Sequence, residues 1–417
     1  MVSLATGASW AIAGLSTAAV IARPMRWPEW IWAVAGAVLL VLLGLMPLAQ
    51  AGGAIAKGLD VYLFLTGMML LSETAREHGA FDWIAATAVN ASKGSRARLF
   101  LLVYATGVVV TTFMSNDATA VVLTPAVFAA AKKAKADPLP LLFACALIAN
   151  AASFVLPISN PANLVLYGGH MPPLGQWLRS FAVPSIASIV VTFLVLRWIE
   201  RRRLAGECAC DVTREALTSP GKLAILGIVA TAALLLVVSA LDRELGLPTA
   251  IAGIATALVV SAAAKASPLT LARQVSWGVL PLVAGLFVLV EALDRTGVIA
   301  HVAAWLRAVS SEPVQAAAAS GTILAFVSNL MNNLPAGLVA ATAVAQAQPP
   351  RIVTDALLIG VDLGPNLSVT GSLATILWLQ VIRREGEDVG FLAFLKVGAV
   401  AMPLALVAAL GTRLMLG

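Results

Sequence analysis

The chain is a succession of apolar runs separated by short polar or basic loops. A helix of about 20 apolar residues spans the hydrocarbon of a bilayer. On that measure the first half predicts crossings over 3–22, 29–49, 59–75, 139–167 and 177–199. After a charged central stretch the second half predicts 222–240, 248–264, 279–293, 352–379 and 391–416. Two of these runs, 139–167 and 352–379, are interrupted by polar residues. Two more segments, about 98–131 and 315–345, are too long for one crossing. Each carries a polar break midway: Ser115-Asn116-Asp117-Ala118-Thr119-Ala120 in one, Asn332-Asn333-Leu334-Pro335-Ala336 in the other. Non-helical backbone at membrane depth is tolerated only where protein buries it or a cavity meets it. Both segments therefore predict re-entrant helical hairpins with the polar break at the tip.

Composition strengthens this reading. The chain has 417 residues, 60% hydrophobic and 12% charged, whereas soluble domains carry roughly 25% charged residues. A soluble class is excluded. So is a β-barrel, whose strands alternate in short segments. The net charge of +6 is no signal for nucleic acid, because the basic residues gather in loops on one predicted side. That side holds Arg23, Arg26, Lys93, Arg96, Arg98, Lys132, Lys133, Lys135, Arg201, Arg202, Arg203, Lys265, Arg273, Arg383 and Arg384. The other has Lys57, Arg243, Arg295, Arg307 and Arg351. The bias puts both termini outside a cell (inner) membrane. No basic segment precedes the first run, so 3–22 is expected to be a retained helix.

The chain also repeats. Gly67-x5-Glu73-x5-Gly79 recurs as Gly285-x5-Glu291-x5-Gly297, each closing a crossing ahead of a short amphipathic stretch and a hairpin. Asn116-Asp117-Ala118-Thr119-Ala120 aligns with Asn332–Ala336, and Asn160-Pro161-Ala162-Asn163 with Gly371-Ser372-Leu373-Ala374. Five crossings per half is an odd number, so the second half must be inverted relative to the first. The fold expected is all-α and polytopic: ten transmembrane helices plus two re-entrant hairpins in two inverted repeats, 1–200 and 222–417, joined by a cytoplasmic linker at 201–221. Inverted repeats set the substrate near the midplane, between discontinuous helices.

At these breaks helix ends leave backbone groups unpaired and their dipoles favour ligands. The side chains are mostly neutral hydrogen-bonders: Ser115, Asn116, Thr119, Asn150, Ser159, Asn160 and Asn163 in the first half, and Ser328, Asn329, Asn332, Asn333, Asn366, Ser368, Thr370 and Ser372 in the second. With no Lys, Arg or His among them, a neutral polyhydroxyl solute or small cation suits the site better than a strongly anionic one. Asp117 and Asp362 are the acids at the breaks. Ionised aspartate is costly there, and an intramembrane carboxyl able to titrate is what proton coupling requires. Each has an alternative role as a structural cap on free N–H groups. Glu73 and Glu291 lie near crossing ends, and Arg76 (i+3) and Arg295 (i+4) are the expected ion-pair partners. Gly67, Gly285, Gly364 and Gly371 are expected to serve backbone geometry. Cys145 reads as a small apolar residue. Cys208 and Cys210 form a C-x-C pair able to bind soft ions through thiolates, or are loop residues without a transport role. His78, His170 and His301 are scattered, so no metal site or cofactor is expected.

The stretch Gly360-Val-Asp-Leu-Gly-Pro-Asn-Leu-Ser-Val-Thr-Gly-Ser-Leu-Ala-Thr-Ile-Leu-Trp378 closely resembles the signature of the arsenite efflux pump membrane subunit family, within the ion transporter superfamily. Residues 115–125, 159–163 and 332–336 are similar to its other motifs, in the same order. The resemblance implies export of As(III) and Sb(III) hydroxides in exchange for protons, and in some members anchoring of an arsenite-stimulated ATPase. The basic inner loops 132–135 and 201–203 would be its docking charges, or only topology signals. Arsenous acid near neutral pH is a small trihydroxide, which Asn, Ser and Thr can hold without a thiolate. A rival within transport is a sodium- or proton-coupled carboxylate or ion carrier of the superfamily. A remote alternative is an intramembrane aspartyl protease, which needs Asp117 and Asp362 to share one site.

Overall fold

The computed structural model describes residues 4–168, 171–209, 212 and 216–417. The expected positions Ser3, His170 and Cys210 fall outside them. The chain is helical, and among the described residues the only β-type pairing is an isolated bridge between Ser95 and Glu207. Among the described residues seven helices are long and apolar enough to cross a membrane, or up to nine if each of two bent helix pairs is one span. These helices turn large apolar side chains outward, Ile186, Leu226 and Ile251 among them, as a lipid-facing surface requires.

The bent pairs depart from the single straight crossings expected. The run predicted to 49 ends as helix Glu29–Leu42, because Gly44 turns at φ +67° and Pro47 starts a new helix, Leu48–Lys57. That helix meets Leu59–Glu77 at 51°. In the second half Pro268–Gln274 meets Val279–Arg295 at 48°. Leu48–Lys57 and Pro268–Gln274 are 10 and 7 residues long, too short for a 20-residue window to find.

Glycines set where the long helices cross. A Cβ on Gly67 would sit 2.1 Å from the Thr249 carbonyl oxygen, and one on Gly253 would sit 2.4 Å from that of Gly67. Helices Leu59–Glu77 and Gly246–Ala264 thus touch backbone to backbone. Gly285 approaches Ala33 of helix Glu29–Leu42 in the same way, with 2.7 Å from its virtual Cβ to the Ala33 carbonyl carbon. Gly67 and Gly285 therefore each pack on a helix of the other half. Gly79 and Gly297 both take positive φ, +73° and +81°, and each starts a short helix, Ala80–Ala91 and Val298–Val309.

The repeated glutamates differ. Glu73 pairs with Arg76, as the local spacing suggests. Glu291 pairs not with Arg295 but with Lys57, at 2.6 Å, since the bent pair Leu48–Lys57 brings that lysine to the end of helix Val279–Arg295. Cys208, Ala209 and Val212 of the central linker lie beside the ends of segment 96–133. Cys208 N–H donates to the Gly94 carbonyl and Ala209 N–H to that of Ala134, both at 2.8 Å. The Asn90 amide exchanges two 3.0 Å bonds with the Val212 backbone.

Candidate functional site

Both expected hairpins contain a helix, a break and a second helix. The first runs Arg96–Phe113, then Asn116–Ala118 continuing through a π-helical turn, Thr119–Leu123, into Thr124–Lys133. The π turn has a local cause. Pro125 has no N–H to give Val121, and Thr124 Oγ1 donates to the Thr119 carbonyl at 2.9 Å. The second runs Pro313–Met331, then Asn333–Ala347.

The breaks are set by Ser115 and Asn332. Ser115 has φ +141°, ψ +165° and Asn332 φ +73°, ψ +153°, a region that is essentially glycine's and costs other residues about 1–3 kcal/mol. Each then caps the helix that follows, Ser115 Oγ accepting from Ala118 N–H and Asn332 Oδ1 from Leu334 N–H, both at 3.4 Å. Ser115 thus corresponds to Asn332, and Asn116 to Asn333, one residue off the alignment read from sequence. The breaks within 139–167 and 352–379 show the same shift. Asn160 caps Pro161–Tyr167 through Ala162 N–H at 3.0 Å, and Ser372 caps Leu373–Arg384 through Thr375 N–H at 3.1 Å. Four capped helix N-termini therefore begin at the breaks.

Side chains stitch the breaks together across the halves. Asn160 Nδ2 donates to Asp362 Oδ1 at 2.8 Å. Ser372 Oγ donates to Asn150 Oδ1 at 3.3 Å. The two bonds are equivalents: 212 residues separate Asn160 from Ser372, and 212 separate Asn150 from Asp362. Asn150 Nδ2 also donates to Asn366 Oδ1 at 2.9 Å, and Asn366 Nδ2 to the Leu147 carbonyl at 3.0 Å. Asn163 gathers the carbonyls of Ser153, Leu156 and Pro157. All these side chains are buried.

The second hairpin tip is bonded to the break of its own half. Asn329 Oδ1 accepts from Ser368 N–H and Oγ, while its amide donates to Gly364 O at 2.9 Å. Asn333 N–H donates to Gly371 O at 2.9 Å, and Asn332 Nδ2 to Thr370 O at 3.5 Å. Gly364 and Gly371 serve close approach rather than positive φ. A Cβ on them would lie 2.2 Å from Ala325 O and 2.5 Å from Pro365 Cα. The first tip has fewer partners. Thr119 bonds Thr111 at 2.8 Å, Ser159 Oγ donates to Thr112 O at 2.9 Å, and Asn116 Oδ1 accepts from Asp117 N–H at 2.9 Å.

Asp117 lines a cavity of about 70 Å³ between the first tip, helix Leu59–Glu77, Pro161, residues 275–279 and Leu377. A second cavity, about 340 Å³, shares Val121, Ser276, Val279 and Leu377 with it and reaches Arg23, Glu29, Gln380 and Arg384. A third, about 760 Å³, runs from Val369 and Thr370 to Arg23, Arg26, Gln380 and Arg383. Both breaks are thus approached from one basic face. There Arg23 pairs with Glu29 at 2.8 Å and Arg383 with Asp388 at 2.6 Å. Asp362 is fully buried and lines none of these three cavities. Asp117 and Asp362 therefore share none of these cavities, as the dyad of a protease would have to.

Two buried acceptor oxygens at the breaks have no donor among the described residues: Asn163 Oδ1 and Asn333 Oδ1. Unpaired buried acceptors cost about 1–3 kcal/mol each, a cost that a solute bringing hydrogen-bond donors would offset. No group of three His, Cys, Asp or Glu among the described residues is arranged to hold a metal. The sequence reading missed one buried cluster. Asp355 accepts two bonds from Arg413, at 2.9 and 2.7 Å, and one from the Tyr167 hydroxyl, with Arg351 at 3.7 Å. An acid inside an apolar run was the available signal.

Residues 17–365 match the citrate transporter family. The chain is 27% identical to the arsenical pump membrane protein of Yersinia enterocolitica, over 83% of this chain and 85% of that one. It is 25% identical to the putative arsenical pump membrane protein of Bacillus subtilis, over 92% and 93%. Its fold is similar to that in the crystal structure of the Alcanivorax borkumensis YdaH transporter, with a TM-score of 0.59, 16% identity, and coverage of 88% and 87%. With its apolar helices, its broken helices and this match over most of its length, the chain belongs to the citrate transporter family of membrane transporters.

Proposed function

We propose that this transporter exports trivalent metalloid hydroxides, arsenite and antimonite, from the cytoplasm in exchange for protons, by alternating access. The observation that carries the reading is the chemistry of the breaks: four helix N-termini, neutral amides and hydroxyls, and buried acceptors that lack donors. As(OH)3 is a small donor-bearing solute of matching character. The likeness to arsenical pump membrane proteins supports the same cargo. Asn329, Asn332, Asn333, Thr370 and Ser372 hold it from one half, and Ser115, Asn116, Thr119, Asn160 and Asn163 from the other, with Asn366 bracing both. Asp117 exchanges the proton, since its carboxylate lines a cavity and has no ion-pair partner among the described residues. Asp362 has the subsidiary role of orienting Asn160.

The architecture proposed is ten crossings and two re-entrant hairpins in inverted repeats, 1–200 and 222–417, with both termini outside the inner membrane. The paired capping bonds and the glycine crossings between halves support it. The basic face reached by the cavities is then cytoplasmic, and the conformation is open to the cytoplasm. An ATPase subunit would dock on that face. A second reading, a carboxylate carrier, is favoured by the family's description and by Arg26 and Arg384 at the cavity mouths, neither with an ion-pair partner among the described residues. Proteoliposomes separate the two. The first reading expects arsenite accumulation driven by an imposed pH gradient, lost in Asp117→Asn. Transport of citrate driven by sodium, with arsenite and pH without effect, would overturn it.

A further inference from the structure

The cavity beside Asp117 has a second carboxylate in its wall, that of Glu73. Glu73 sits on helix Leu59–Glu77, and its side chain is 12% exposed. Its other face meets the Arg76 guanidinium, which is 44% exposed and donates also to Gln274 Oε1 at 2.9 Å. One carboxylate therefore borders both the Asp117 cavity and an exposed cation. An ion pair needed only for local stability has no reason to line a cavity with an unpaired acid.

The rest of the surroundings narrow what Glu73 can do. Arg76 also feels Glu77 and Asp82. Helix Gly246–Ala264 packs alongside without a charged residue, and Ser219–Ala240 carries only Lys222. Helix Pro268–Gln274 brings Arg273 and Gln274. The half-helix Pro161–Tyr167 contributes Pro161 to the cavity, and the first hairpin contributes Asp117. Glu73 is the carboxylate placed between Asp117 and the aqueous edge at Arg76. The cavity's 70 Å³ exceeds the roughly 10–15 Å³ needed to hold one water. The repeat supplies a comparison. Glu291 occupies the matching position, but it is held by Lys57, and the residue matching Asp117 in the second tip is Leu334.

We propose that Glu73 is a proton-transfer residue between Asp117 and the aqueous side, switching between Arg76 and the cavity. The inference rests on the proton-exchanging role of Asp117 proposed above. A proton leaves the Asp117 carboxylic acid, passes through water to a Glu73 oxygen, and is released to bulk water at the Arg76 edge. Asp117 is left as carboxylate, and Glu73 returns to its anionic, Arg76-paired form.

The test compares two modes of transport by the full chain in proteoliposomes, with arsenite as the probe. Arsenite–arsenite exchange at equal pH needs no net proton movement; accumulation against a pH gradient does. Glu73→Gln is expected to leave exchange within about twofold of wild type and to cut pH-driven accumulation by roughly tenfold or more. Glu73→Asp should recover part of the loss, and Glu291→Gln should behave as wild type in both modes. If Glu73→Gln destabilises the protein by stranding Arg76, the double variant Glu73→Gln/Arg76→Gln removes both charges and should show the same split. Full pH-driven accumulation in either variant overturns the proposal, as does an equal fall in exchange and accumulation. If Asp117→Asn is uncoupled while Glu73→Gln is normal, Glu73 alone is misassigned. If wild type accumulates no arsenite under a pH gradient, the functional reading itself has failed.

Discussion

Replacing Asn160 with alanine removes two hydrogen bonds at once, the 3.0 Å cap on Ala162 N–H and the 2.8 Å donation to Asp362 Oδ1. Asn160 is 1% exposed and Asp362 0%, so water does not readily replace either bond. Losing a helix cap costs about 1 kcal/mol. Leaving a buried oxygen without its partner costs about 1–3 kcal/mol. The expected destabilisation is about 2–4 kcal/mol, the larger share from the lost Asp362 contact. SDS titration of the purified protein, followed by the fluorescence of its 10 tryptophans, measures it. Asn160→Ser keeps a capping oxygen but loses the amide donor, which separates the two contributions. A double-mutant cycle with Asp362→Ala isolates the pair, and a coupling of at least about 1 kcal/mol is expected for groups in contact. Additivity within about 0.5 kcal/mol would refute the claim that this bond joins the two halves.

Other outcomes follow from the same geometry. Asn332→Ala or Asn333→Ala should weaken arsenite binding, by about 0.5–1.5 kcal/mol per lost neutral hydrogen bond; unchanged affinity in both, by equilibrium binding to purified protein, moves the cargo elsewhere. Asp355→Asn strands the Arg413 guanidinium, 4% exposed, and should cost about 3–5 kcal/mol in the SDS titration, whereas Asp355→Leu/Arg413→Met should cost much less. Burial pushes the Glu200 carboxyl above its ordinary value, outweighing Arg203 at 3.7 Å. The folded state then holds that proton more tightly than the unfolded state, so stability falls as pH rises through the range between the two values. Glu200→Gln should raise the melting temperature above that range and leave it unchanged in acid below it.

The long apolar helices were legible because ~20-residue apolar runs stand out from the polar loops between them, but helices Arg96–Phe113 and Pro313–Met331, inside the segments read as hairpins, are themselves long enough to span. The breaks were legible because polar clusters in such runs need a reason. Their register was not. Whether Ser115 or Asn116 ends the break is decided by a φ of +141°, which residue identity does not announce. Local pairing rules found Glu73–Arg76, three residues apart, but not Lys57–Glu291, 234 apart. The short helices Leu48–Lys57 and Pro268–Gln274 were hidden by their length. The Asp355–Arg413–Tyr167 cluster joins three distant segments, and no periodicity in any one of them reveals it. Asn150 could be named from sequence only as one hydrogen-bonder among many. Its position opposite Ser372 and Asn366 needed the fold.

The central claim is that neutral amides and hydroxyls at the breaks, not thiolates, hold the cargo. Anomalous scattering at the arsenic edge, from crystals of the protein with arsenite, tests it directly. The account predicts one strong peak within hydrogen-bonding distance of the Asn332–Asn333 tip and the Ser372 cap. A peak at Cys145 or Cys208, with none at the breaks, would contradict it.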